Sequence, residues 1–270
     1  NSIIFYYILL YFIIFNFLYI GAIMKNDVLV GEWTLDDLKV NQNWFLELDT
    51  GDKEDLINAT KSALSSNKDV FDLTIKDFPL SKFIEKINQA KEQVEIGLGF
   101  VIFRGLPIET FSEKEVSVML WGIGQYIGYP ETQDKAGSLL HVVTDTGASF
   151  KKSDNLRGFQ TNEELTFHTD GADVFALLCL RNAKSGGLSK LVSSVAVFNE
   201  IEKTRPDLAN VLQENFYFDA RAQNQNEEKC QKIPVFVKHD NLVSALYKRR
   251  YIDSAQRFSE IPKLTEKQKE

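Results

Sequence analysis

Residues Ile3 to Ile23 carry no charge and consist almost wholly of Ile, Leu, Phe and Tyr. An apolar run of about 20 residues is long enough to cross a bilayer as a helix. Lys25, just after the run, would set its C-terminal side in the cytoplasm. No basic residue precedes the run and no clear small-residue cleavage site follows it, which argues against a secretory signal. A second reading stays open. The chain starts at Asn1, and Met24-Lys25-Asn26-Asp27 opens an ordinary soluble sequence. The Ile, Phe, Tyr and Asn bias is what translation of an AT-rich stretch upstream of a gene would give. In both readings the rest of the chain faces a reducing cytoplasm.

Beyond that run the pattern turns globular. Trp33, Leu35, Leu38, Trp44, Phe45 and Leu46 read as packing residues of a lead-in segment, 24–70. Asn58 to Ser66 has helical character. Leu80 to Val94 repeats its apolar positions at three and four, the mark of an amphipathic helix, and Gly97 and Gly99 stop it. Phe100 to Gly105 reads as a buried strand. Ser112 with Glu115 forms a capping box for a helix to Tyr126. Leu139 to Val143 and Gly158 to Thr161 read as short strands around a polar loop, Lys151 to Asn155. Strands are expected at Leu165–Thr169, Val174–Leu180 and Ser189–Val195, with a turn at Ser185-Gly186-Gly187. Ser194 to Leu212 is helical, restarted at Pro206. Pro234–Val237 and Leu242–Leu246 suggest a hairpin, and Leu264 to Gln268 a final helix. The fold class that fits is α+β: a barrel or jelly roll with helical insertions.

Composition narrows the partners. With 31 Lys and Arg against 38 Asp and Glu, net charge is -7, which disfavours nucleic acid and anionic membrane surfaces. Membrane contact would come only through residues 3–23. Two cysteines, Cys179 and Cys230, make no disulfide framework and no zinc spacing. Cys179 lies in an apolar run and is expected to be a buried small hydrophobe.

The chemistry concentrates at Thr166-Phe167-His168-Thr169-Asp170-Gly171. A histidine and a carboxylate two apart on an extended strand point to one face and can share a metal ion. One more histidine would complete a 2-His-1-carboxylate triad, a donor set suited to non-haem Fe(II). The chain has 3 histidines, the other two being His141 and His239. His239 sits in a polar turn and is expected to be exposed. His141, on a short strand, is expected to be structural or to face substrate. The spacing alone does not name the metal.

Around this pair the chain resembles the TauD/TfdA family of Fe(II)- and 2-oxoglutarate-dependent dioxygenases. The resemblance runs through Gln160-Thr161-Asn162, Phe167 to Asp170, Leu178 to Arg181, and Lys184 to Ser189. It takes in Gly99 to Gly105, Arg205-Pro206-Asp207, Arg249 to Ile252, and Arg257-Phe258, so that it covers roughly residues 70 to 270. It implies a double-stranded β-helix, a jelly-roll variant, with His168 and Asp170 as the first two iron ligands. Ser189 stands where the family usually has a Thr that hydrogen-bonds a 2-oxoglutarate carboxylate. Asn162 would touch cosubstrate or substrate. Arg104 and Arg181 are weaker candidates, better explained by salt bridges.

The implied reaction hydroxylates a small organic molecule with O2. It is coupled to oxidative decarboxylation of 2-oxoglutarate to succinate and CO2. Tyr126, Phe150 and Phe159 could line a substrate pocket, with core packing as the default for each.

The family places its distal histidine, and the arginine clamping the far 2-oxoglutarate carboxylate, beyond the region equivalent to Leu264-Thr265-Glu266. The sequence is therefore expected to be a C-terminally incomplete dioxygenase domain, 71–270. A rival reading is a catalytically inactive TauD-like binding module that lacks the complete iron site.

Overall fold

The computed structural model describes residues 4–11, 30–134, 136–144, 163–221, 228–239 and 242–270. The expected strand Gly158–Thr161, the loop Lys151–Asn155, and Asn162, Phe150 and Phe159 lie outside them.

The described part of the apolar N-terminal run departs from the membrane-helix expectation. Ile4–Tyr11 is a strand, β1, as suits a stretch rich in Ile, Phe and Tyr. α1 (Leu35–Val40) and α2 (Thr50–Ser65) each start with a capping box, Thr34 with Asp37 and Asp49 with Asp52. Between them lies β2 (Phe45–Glu47). α3 (Ile84–Ile96) has Phe83 at its N-cap, which offers no side-chain acceptor. Asp55 of α2 supplies it instead. Its carboxylate accepts the backbone N–H groups of Ser81, Lys82 and Phe83 at 2.9, 2.8 and 2.9 Å. β3 (Ile102–Arg104) pairs in parallel with β2, and α2 and α3 form the crossover that a parallel pair requires. α4 (Glu113–Ile127) starts at the expected Ser112–Glu115 box. β4 (Tyr129–Pro130) and β5 (Leu140–Val143) follow.

β6 (Val174–Arg181) runs antiparallel along one edge of β1, and β5 and β4 share the other. β6 alternates as a half-covered strand should. Ala176, Leu178 and Leu180 face a first core, and Phe175, Leu177 and Cys179 are exposed. The expectation of a buried Cys179 is therefore corrected: strand periodicity puts it on the outer face.

The first core packs α2, α3 and α4 around Leu56, Phe78, Phe83, Ile87, Met119 and Trp121. Gly122 of α4 is required there. A Cβ on it would come within 2.3 Å of the Phe78 ring, which is fully buried. Tyr126 belongs to the same packing, its hydroxyl donating to the Phe78 carbonyl at 2.8 Å and accepting the Leu80 N–H at 3.0 Å.

The expected strands Leu165–Thr169 and Ser189–Val195 do not form. Ser193 explains the second. Its hydroxyl donates to the Gly31 carbonyl at 2.6 Å and accepts the Ala196 N–H at 3.0 Å. That caps α5 (Ser194–Thr204) and turns the chain helical. The Gly186-Gly187 turn has both φ values positive, 73° and 70°, the region glycine enters without strain. α6 (Pro206–Leu212) begins on proline as expected. β7 (Asn215–Asp219) pairs with β8 (Cys230–Pro234), and β9 (Phe236–His239) with β10 (Leu242–Ala245), both antiparallel. α7 (Arg249–Ala255) and α8 (Glu266–Lys269) close the order. These elements bury a second core of Phe198, Ala209, Phe216, Phe218, Val235, Phe236 and Ile252.

The architecture is mixed helix and strand, with no closed barrel among the described residues. Among them, no helix is long and apolar enough to cross a membrane.

Candidate metal centre and cleft

The segment 163–173 precedes β6 and is neither helix nor strand. A reciprocal pair of hydrogen bonds ties it to Tyr247, which packs against the second core. The Thr169 N–H donates to the Tyr247 carbonyl at 2.9 Å, and the Tyr247 N–H donates to the Thr169 hydroxyl at 2.8 Å. His168 and Asp170 flank that clip.

His168 is exposed, and its Nδ1 lies 2.7 Å from the Thr166 carbonyl oxygen. A carbonyl only accepts, so Nδ1 carries the proton and Nε2 is the nitrogen left to bind a metal. The arrangement is the usual one for a metal-binding imidazole, in which a second acceptor fixes the tautomer. An imidazole nitrogen and a carboxylate form a donor set that suits Fe(II).

Asp170 opens on a cleft of about 390 Å³. One wall is 170–173. The second comes from Phe218 to Ala220 with Gln231 of β8, and the third from Ala245, Leu246, Lys248 and Tyr251. Lys248 reaches over Gly171, where an added Cβ would stand 3.6 Å from its Nζ. In the second wall, Asp219 is 1% exposed, pairs with Arg257 Nη2 at 3.0 Å, and accepts the Arg221 N–H at 2.8 Å. The Arg221 guanidinium stacks 4.3 Å above the Tyr251 ring, and burial lowers its pKa. Burial first, then Asp219, pushes the Cys230 thiol up.

The other two histidines are elsewhere. His239 is exposed at the end of β9. His141 sits in β5 with Nε2 3.3 Å from an Asp134 carboxylate oxygen. Burial opposes the Asp134 charge, but the Ser138 N–H and hydroxyl, with His141, outweigh it and hold that carboxyl below its ordinary range. Among the described residues, no third His, Cys, Asp or Glu joins His168 and Asp170 in a metal-sized group.

Ser189 is exposed in the irregular stretch between β6 and α5. Arg181 pairs with Glu113, and the Arg104 guanidinium lies 6.0 Å from the Phe45 ring. Asn162 is outside the described residues. Sequence reasoning missed Tyr247, which holds the ligand-bearing segment, and Lys248 and Gln231, which line the cleft. Nothing in the sequence links Thr169 to a residue 78 positions away.

Two curated proteins are similar to this chain. FR-33289 synthase of Streptomyces rubellomurinus is 29% identical over 224 residues, 82% of this chain and 66% of that protein. Taurine hydroxylase-like protein SAT17 of Stachybotrys chartarum is 29% identical over 154 residues, 55% of this chain and 40% of that protein. The chain thus spans about two thirds or less of the length of either relative. Residues 66–270 match the family described as taurine catabolism dioxygenase TauD, TfdA family. That match takes in α3, α4, the segment 163–173 and the second core, and the chain belongs to the TauD/TfdA family.

Proposed function

We propose that this protein is an Fe(II)- and 2-oxoglutarate-dependent dioxygenase that hydroxylates a small organic molecule. In this reading 71–270 is the catalytic domain and the sheet around β1 is part of a double-stranded β-helix. The observation that carries it is His168. Its Nδ1–H is committed to Thr166, two residues from a carboxylate that opens on a cleft, all inside the stretch that matches the family.

His168 and Asp170 would hold the iron, His168 through Nε2 and Asp170 through its carboxylate. Bound there, Fe(II) with 2-oxoglutarate and O2 supplies oxidative decarboxylation to succinate and CO2, coupled to oxidation of substrate. The chain's own residues do the rest. The Thr166 carbonyl keeps the His168 ring in one tautomer. Asp170 brings negative charge that offsets part of the metal's. Phe218, Leu246 and Tyr251 give the cleft apolar surface that sheds water around a bound substrate. Ser189 is proposed to donate to a carboxylate of 2-oxoglutarate, and Asn162 to contact cosubstrate or substrate. The enzyme would work in a reducing cytoplasm, which suits its two free thiols.

The test is succinate formation from 2-oxoglutarate with Fe(II) and O2, using protein made from the complete native reading frame. The expected result is turnover that His168→Ala and Asp170→Ala abolish while the protein stays folded. An active Asp170→Ala variant would contradict the ligand assignment. Absence of turnover and of 2-oxoglutarate binding in the unaltered protein would leave the binding-module reading in its place.

A further inference from the structure

We infer that Thr169, the residue between the two proposed ligands, is the positioning residue of the metal site, acting through Tyr247. The inference rests on the proposed metal role of His168 and Asp170 and adds what aims them.

The ligand-bearing segment 163–173 has no helix or strand of its own to set its direction. At its ligand-bearing turn it is held by the clip between Thr169 and Tyr247, with bonds of 2.9 and 2.8 Å. In a regular antiparallel pair both acceptors are backbone carbonyls. Here the Thr169 hydroxyl takes the place of its own carbonyl as acceptor, so the clip depends on a side chain. The hold continues inward. The Leu246 N–H donates to the Val235 carbonyl at 2.8 Å, and the Val235 N–H to the Leu212 carbonyl at 3.1 Å. Val235 is 2% exposed within the second core. A short hydrogen-bonded path therefore runs from the residue between the ligands to the second core and the end of α6.

The consequence for a metal follows from the spacing. His168 and Asp170 are the two chain neighbours of Thr169, so both move with the backbone at 169. A turn of the backbone at 169 would swing His168 and Asp170 together and change the angle at which both donors meet the ion. Serine keeps the acceptor and would keep the aim. Valine keeps the shape and leaves the Tyr247 N–H without its acceptor, which the backbone must move to satisfy.

The test uses protein from the complete native reading frame, with Co(II) as the probe. Affinity is read by titration, donor geometry by the visible d–d bands, and stability of the metal-free protein by urea unfolding. Thr169→Val is expected to lower Co(II) affinity about 10- to 100-fold and shift the d–d bands, the size seen when an outer partner of a metal ligand is lost. Thr169→Ser is expected to restore affinity and bands to those of the unaltered protein. If Thr169→Val does not fold, Thr169→Ala takes its place with the same expectation, and the serine variant still decides.

Unchanged affinity and bands in Thr169→Val would overturn the inference, as would a serine variant as impaired as the valine. His168→Ala is the control for the underlying reading. Co(II) bound as tightly by His168→Ala as by the unaltered protein would refute the metal site itself, in an arm that does not involve Thr169.

Discussion

The two cores of this chain differ in what they hold. The first is closed by α2 and α4, which begin at capping boxes whose partners are three positions apart, and by α3, capped from α2 by Asp55. The second is closed by partners distant in sequence. Phe198 of α5 meets Phe236 of β9 at 5.0 Å between ring centroids, and Ile252 of α7 joins them. The proposed ligands hang from this second core, because Thr169 is clipped to Tyr247. Both cores close on pairs far apart in sequence, Tyr126 on Phe78 in the first and Phe236 on Phe198 in the second. What distinguishes the second is that Tyr247, which packs against it, holds Thr169.

The largest expected effect is loss of turnover in His168→Ala. This side chain is exposed, so the urea midpoint of the metal-free protein should stay where it is. A large fall in that midpoint would blur the line between site and scaffold.

Next comes a matched pair of core truncations. Phe198→Ala in the second core should cost about 3–5 kcal/mol, and Met119→Ala in the first about 2–5 kcal/mol, since both side chains are fully buried. Urea unfolding measures both. The comparison predicts that only Phe198→Ala also weakens Co(II) binding by the folded protein. Equal weakening in Met119→Ala would break it.

Gly122→Ala should destabilise by about 1–3 kcal/mol, because the new methyl group meets the buried Phe78 ring. Co(II) affinity should not change. A neutral result in urea would mean that α4 and Phe78 can separate at no cost.

The smallest effect is a pH dependence at Asp77, next to Phe78 of the first core. Asp77 is held down to about 2, from an ordinary 3.8, by the Lys68 ammonium and the N–H and hydroxyl of Thr74. A depressed carboxyl stabilises the fold above its unfolded pKa, and that stability is lost as pH falls through the folded one. The urea midpoint should therefore fall between about pH 4 and pH 2 more steeply than in Asp77→Asn. Parallel curves would remove Asp77 from the account.

Much of the scaffold was legible because its signals are local. The Ser112–Glu115 box gave the start of α4, Pro206 the start of α6, and the apolar stretch from Val174 the strand β6. The hairpin near His239 followed from two short apolar runs around a polar turn. Failures came where partners are far away. Ser189 to Val195 has strand composition, but Ser193 is drawn to Gly31, 162 residues earlier, and caps a helix. Thr166 to Thr169 has strand composition too, yet its clip goes to Tyr247. Length and lack of charge make a membrane helix one of two readings of the apolar N-terminal run, and the pairing of residues 4–10 with β6 cannot be read from either property. At the site, residue types and family resemblance singled out His168 and Asp170. The tautomer of His168, the cleft beside Asp170 and the hold from the second core came only from the structure.

The most direct test of the central claim is an anaerobic titration of the native-frame protein with Fe(II) and then 2-oxoglutarate, followed by visible absorption. The account predicts a metal-to-ligand charge-transfer band that saturates with 2-oxoglutarate and is missing from Asp170→Ala. A band that survives unchanged in Asp170→Ala, or no band in the unaltered protein, would contradict it.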